Sequence, residues 1–171
     1  MNIAVVTSTF ANNSVSLFTI RGGISRASGD TTARTLSFAG PGNTTVSGGI
    51  SNGGASAALA LAKEGLGRLT LTAASSFSSG VQVNAGTVVA GGANNTFSTL
   101  GTGTVAIGSS GTVQLSWINT TNGGYAAGYT NAVSGSWVLM LLYPSTGDGN
   151  NCVTSSGNLP TSEIRDLQNR C

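Results

Sequence analysis

Apolar residues in this chain fall into short stretches in which every second position is hydrophobic. Arg34-Thr35-Leu36-Ser37-Phe38 is one, and Arg68-Leu69-Thr70-Leu71-Thr72 echoes it. Val81-Gln82-Val83, Val88-Val89, Val105-Ala106-Ile107 and Val113-Gln114-Leu115 continue the theme. A period of two places one set of side chains on one face of a strand. Between the stretches lie turn formers: Gly48-Gly49, Asn52-Gly53-Gly54, Asn84-Ala85-Gly86, Gly91-Gly92, Asn94-Asn95 and Gly108-Ser109-Ser110-Gly111. Glycine and asparagine tolerate the backbone angles that sharp turns require. Strands this short bury little alone, so the pattern predicts coils stacked in register, ~4.8 Å apart, with a continuous Val/Leu/Ile ladder inside. The echo from Leu36 to Leu69 spans 33 positions, and that from Val46 to Val81 spans 35.

Composition agrees with this reading. The 171 residues suffice for one domain, and only 7% are charged while 39% are hydrophobic. Disordered chains usually show the opposite balance. The net charge of +2 comes from 7 basic against 5 acidic residues. Arg21, Arg26, Arg34 and Arg68 are dispersed, so no basic patch able to displace many counterions is formed, and nucleic acid is not an expected partner. The opening Met1-Asn2-Ile3-Ala4-Val5-Val6 has no basic start and no long apolar stretch, and is not read as a signal peptide. The apolar run from Trp137 to Tyr143 is much shorter than the ~20 residues of a membrane helix, so no transmembrane segment is expected.

One stretch carries a specific resemblance. Leu61-Ala62-Lys63-Glu64-Gly65-Leu66-Gly67-Arg68-Leu69-Thr70-Leu71-Thr72, continued by Phe77-Ser78-Ser79-Gly80-Val81-Gln82-Val83-Asn84-Ala85-Gly86-Thr87-Val88-Val89, resembles the autotransporter passenger-associated β-strand repeat. The likeness is close over residues 59 to 91 and looser over 34 to 58 and 101 to 115. It departs at Arg68, where a small polar residue is usual. The resemblance implies an all-β fold, a right-handed parallel β-helix, in an exported protein at the cell surface or outside the cell. If the protein is exported, the export signal is expected to lie outside this chain, and self-translocation is not expected to be encoded here. Residues 1–116 are read as the β-helical region, and 117–171 as an irregular, aromatic-containing cap and tail. Pro160 to Leu167 has the spacing of a short helix. An uncapped solenoid end would offer a surface for self-association.

Several constellations bear on chemistry. Gly49-Ile50-Ser51-Asn52-Gly53 matches the nucleophile-elbow pentapeptide. The chain has no histidine, so Ser51 would need another base, and Lys63, the only lysine, is the candidate. The plainer reading puts Ser51 in a solenoid turn. Gly147-Asp148-Gly149-Asn150-Asn151 sets hard oxygen donors at alternate positions, which suits calcium held by Asp148 and Asn150. The plainer reading is a polar turn. Trp117 and Trp137 are candidates for stacking against a carbohydrate, or for capping the solenoid. Cys152 and Cys171 are placed to form one disulfide, worth about 3 kcal/mol, or to remain free thiols. The leading expectation is therefore a structural or adhesive β-helical segment. The alternatives are a small ester or lactone hydrolase, calcium-dependent or using Ser51 and Lys63, and a carbohydrate-binding module.

Overall fold

The computed structural model describes residues 2–3, 7–54, 57–91, 98–116, 131, 133–135, 138–139, 141–142 and 155–156. Every regular element among them is a strand. In chain order these are β1 (Asn2–Ile3), β2 (Thr7–Ala11), β3 (Phe18–Ile20), β4 (Ile24–Arg26), β5 (Arg34–Ala39), β6 (Thr44–Val46), β7 (Ile50–Ser51) and β8 (Leu59–Lys63). There follow β9 (Arg68–Leu71), β10 (Val81–Ala90), β11 (Val105–Ser116), β12 (Val133–Gly135), β13 (Val138–Leu139), β14 (Leu141–Leu142) and β15 (Ser155–Ser156).

The chain winds as a parallel β-solenoid with three faces. On the first face, Leu36 stacks on Leu61, Leu61 on Val81 and Val81 on Val105. On the second, Leu69 stacks on Val88 and Val88 on Val113, with Val46 beside them on Leu71. The third face pairs β1, β4 and β7, with Ile24 on Ile50. It continues as single backbone bonds, Ser76 N–H donating to the Ile50 carbonyl at 2.8 Å and Ser75 N–H to that of Ser98 at 3.1 Å. The long strands β10 and β11 bend across the corner between the first two faces and join them into one sheet of ten strands. Parallel pairing extends past β11, to β12 on the first face and β14 on the second. The one antiparallel pair among the described residues is β13 with β15.

Inward positions form one apolar cluster along the axis, including Leu36, Phe38, Leu59, Leu61, Leu69, Leu71, Val83 and Val88. A fully buried leucine or valine contributes about 1.5–3 kcal/mol over its exposed state, so this ladder, repeated coil after coil, is the main source of cohesion.

The stacking register differs from the echo visible in the sequence. Bonds between adjacent coils span 25 positions from Asn43 to Arg68 and 20 from Glu64 to Asn84. The 33-position echo instead links Leu36 on the first face to Leu69 on the second face of the next coil. Both faces carry the same alternating Leu/Val pattern, so similarity alone does not tell one from the other. Coil length also varies, because the connection from Val46 to Leu59 is longer than that from Leu71 to Val81.

Candidate functional site

Ser51 and Lys63 stand on different faces of successive coils, on β7 and β8. Ser51 ends β7 on the third face, one residue beyond inward-facing Ile50, and its Oγ accepts from the Gly53 N–H at 3.3 Å. It forms part of a tight turn. Asn52 completes that corner, its Oδ1 accepting from the Leu59 N–H and its Nδ2 donating to the Ser78 hydroxyl, both at 2.8 Å.

Lys63 ends β8 on the first face. It shares parity with Leu59 and Leu61 and stacks between Phe38 and Val83, so its stem continues the apolar ladder. The residue is 3% exposed. Its ammonium reaches the corner and donates to the Gly65 carbonyl. Burial disfavours the charged form and pushes the Lys63 pKa down, opposed by the nearby Glu64 carboxylate. No hydrogen bond joins Lys63 to Ser51.

The other sequence candidates, Trp117, Trp137, Asp148, Asn150, Cys152 and Cys171, lie outside the described residues. So does the segment Pro160 to Leu167. Among the described residues, no helix is long and apolar enough to cross a membrane.

The corner between the first and second faces has the most consistent construction. Here backbones of successive coils touch. A side chain at Gly65 would meet Gly40 N at 2.3 Å, and one at Gly67 would meet the Gly42 carbonyl oxygen at 2.1 Å. Only glycine permits that approach. Between these paired glycines the side chains of Pro41 and Leu66 point outward. Leu66 is 79% exposed, and Val15 and Leu17, at the same corner of the first coil, are 102% and 63% exposed. The large exposed hydrophobics of the described chain, which also include Phe18, thus lie along or beside one longitudinal edge.

Two further constructions escaped sequence reasoning. Arg68, on the outer surface of β9, donates through Nη2 to Gln114 Oε1 on β11 at 2.9 Å, crossing over β10. Arg26, on β4, faces inward with Ile24 and is 2% exposed. Its Nη2 donates to the carbonyls of Asp30 and Thr32 and lies 3.3 Å from Asp30 Oδ2. Asp30 in turn accepts from Arg34 Nε at 2.6 Å, Arg34 Nη2 at 3.2 Å and the Thr32 N–H at 3.0 Å. The Arg34 hydrogen bond first, and the Thr32 N–H second, hold the Asp30 carboxyl well below the usual carboxylate range. The signal for Arg26 is its parity with Ile24, and for Lys63 its parity with Leu59 and Leu61. A pattern traced through apolar residues alone passes over both.

Residues 61–90 match the family described as Passenger-associated-transport-repeat. They run from the middle of β8 through β9 to the end of β10, one coil together with the strand that returns on top of it. Neither the curated proteins nor the solved structures gave a match.

Proposed function

We propose that this chain, which carries a passenger-associated-transport-repeat within a β-solenoid, is a structural segment of an exported bacterial surface protein, a stalk that holds other parts away from the cell. The observation that supports this most is the unbroken inward ladder, Leu36–Leu61–Val81–Val105, built from parallel strands whose coils touch backbone to backbone at Gly65 and Gly67. A solenoid of this kind gains length by adding coils, each stabilised by its neighbours. Its specialised features are devoted to coil stacking. The elbow pentapeptide includes a hydrogen-bonded turn at Ser51 and Gly53, and the Lys63 stem lies in the apolar ladder, which favours a structural role for both.

An adhesive contribution would come from the edge bearing Val15, Leu17, Pro41 and Leu66, because exposed apolar side chains in a row favour contact with other apolar surfaces. The test is display of the chain on bacterial cells between a signal sequence and an outer-membrane barrel. The stalk reading expects a β-type circular dichroism spectrum for the purified chain and slow shaving by added protease on the displayed one. Rapid shaving, or a spectrum dominated by random coil, would sink it. Cells displaying the wild-type chain should settle faster than cells displaying a Leu17→Ser/Leu66→Ser variant if the edge is adhesive. Equal settling leaves the stalk role alone.

A further inference from the structure

The geometry points to a binding site for a small monovalent anion, of the size of chloride or nitrate, at the buried guanidinium of Arg26. The Arg26 side chain is 0% exposed. All its described acceptors, the two loop carbonyls and Asp30 Oδ2, are reached through Nη2. Its Nε and Nη1 are buried and meet no acceptor among the described residues. A guanidinium carries five N–H donors, and those on Nε and Nη1 are the ones left unmet here. Buried charged donors without acceptors are strongly disfavoured.

Asp30 does not supply the missing acceptor. Both of its oxygens are engaged by Arg34, and Oδ1 also accepts from the Thr32 N–H. Two guanidinium groups therefore face one carboxylate, leaving one positive charge in excess at this corner. A neutral acceptor would satisfy the N–H groups but not that charge. An anion satisfies both, and full burial of the side chain restricts it to a small one. Other coils show how the same kind of corner is closed without charge. Asn52 accepts from the Leu59 N–H, and Asn131 Nδ2 donates to the carbonyls of Gly101 at 3.1 Å and Gly103 at 2.6 Å. Arginine at this place in the first coil brings donors and charge beyond what closing the turn requires.

The test follows thermal unfolding of the purified chain at constant ionic strength while sodium gluconate, too bulky for the site, is replaced by sodium chloride or sodium nitrate. The midpoint should rise by about 3 °C or more along a saturating curve. Asp30→Asn removes the competing negative charge and should move that curve to lower anion concentration, whereas Arg68→Met should leave it unchanged. Arg26→Met should abolish it. Should that variant not fold, the chlorine NMR line width of the wild-type chain reads binding directly, broadening with protein and narrowing again when nitrate is added. A midpoint that ignores which anion is present, as expected if water fills the site, would overturn the proposal. Loss of the anion effect in Arg68→Met would do the same, because it would place the ion on the surface. Because this site is independent of the stalk reading, failure here leaves the display experiment unaffected, and the reverse also holds.

Discussion

Arg68 on β9 and Gln114 on β11 stand 46 positions apart in the chain, yet a 2.9 Å hydrogen bond joins them across the strand between. The bond passes over the outer surface of β10, where Thr87 pairs with Arg68 and Val89 with Gln114. Val89 points away from the core by parity but is only 4% exposed. The arginine thus ties together three consecutive coils from a position where a small polar residue could not reach past β10. A double-mutant cycle measures the tie. Arg68→Ala and Gln114→Ala should each lower stability, with a coupling of about 0.5–1 kcal/mol between them, typical of an exposed bond to a charged donor. Additive losses would mean that the pair contributes nothing jointly.

Lys63 gives a prediction whose sign follows from its burial. The ammonium titrates near 10.5 in the unfolded chain, and burial lowers that value in the folded one. Between the two values the unfolded chain holds the proton more tightly, so stability rises as pH is raised through this window. Below the folded value the full cost of burying the charge is present. Lys63→Met keeps the stem and removes the charge. Near neutral pH this variant should be more stable by about 1–3 kcal/mol, and its alkaline rise in stability should vanish. Denaturant melts across the alkaline range read both effects. A destabilised variant would mean that the bond to the Gly65 carbonyl outweighs the burial cost.

Asp30 gives stability that is lost toward acid. Its carboxyl is held below the ordinary 3.8 by Arg34 and the Thr32 N–H. The stabilisation is fully present above 3.8 and is lost as pH falls below that value toward the folded one. Asp30→Asn should be less stable than wild type at neutral pH, and the two should converge as the wild type is acidified. Thermal melts on an acid series check this. Parallel curves for the two chains would show that the loop from Ala27 to Ala33 is ordered by something other than the carboxylate.

Much of the fold was legible because a solenoid imposes a simple code. Alternation marked Leu36, Leu69, Val81 and Val105 as inward, and glycine clusters marked the corners. The register was not legible, because Leu36 and Leu69 stand in equivalent patterns on different faces and nothing local distinguishes the faces. The candidate chemistry was the least legible. The pentapeptide around Ser51 arises from the same Gly, Ser and Asn that build any corner of this chain. Lys63 and Arg26 fall outside an apolar pattern because they are charged, although the parity of Leu59, Leu61 and Ile24 points both inward. A long stem can cross an apolar layer and deliver its charged end to backbone carbonyls at a corner, which is what both side chains do.

The glycine corner supplies a contrast that separates conformational freedom from close approach. Gly67 is packed so that a methyl group would lie 2.1 Å from the Gly42 oxygen and 2.9 Å from the Pro41 carbonyl carbon. Neither is the end of a flexible side chain, so accommodating even alanine must push two coils apart. Gly22 has nothing within 4 Å of the same methyl and has no positive φ. Gly67→Ala should therefore cost about 2 kcal/mol or more, whereas Gly22→Ala should be neutral or stabilising by about 0.4–1 kcal/mol, through a less flexible unfolded chain. Urea melts of the two variants against wild type make the comparison. Equal effects at both positions would mean that coils slide apart freely at this corner. The proposed stalk role would require the opposite, since stacked backbones could carry load along the solenoid only where coils such as those meeting at Gly67 and Gly42 stay in contact.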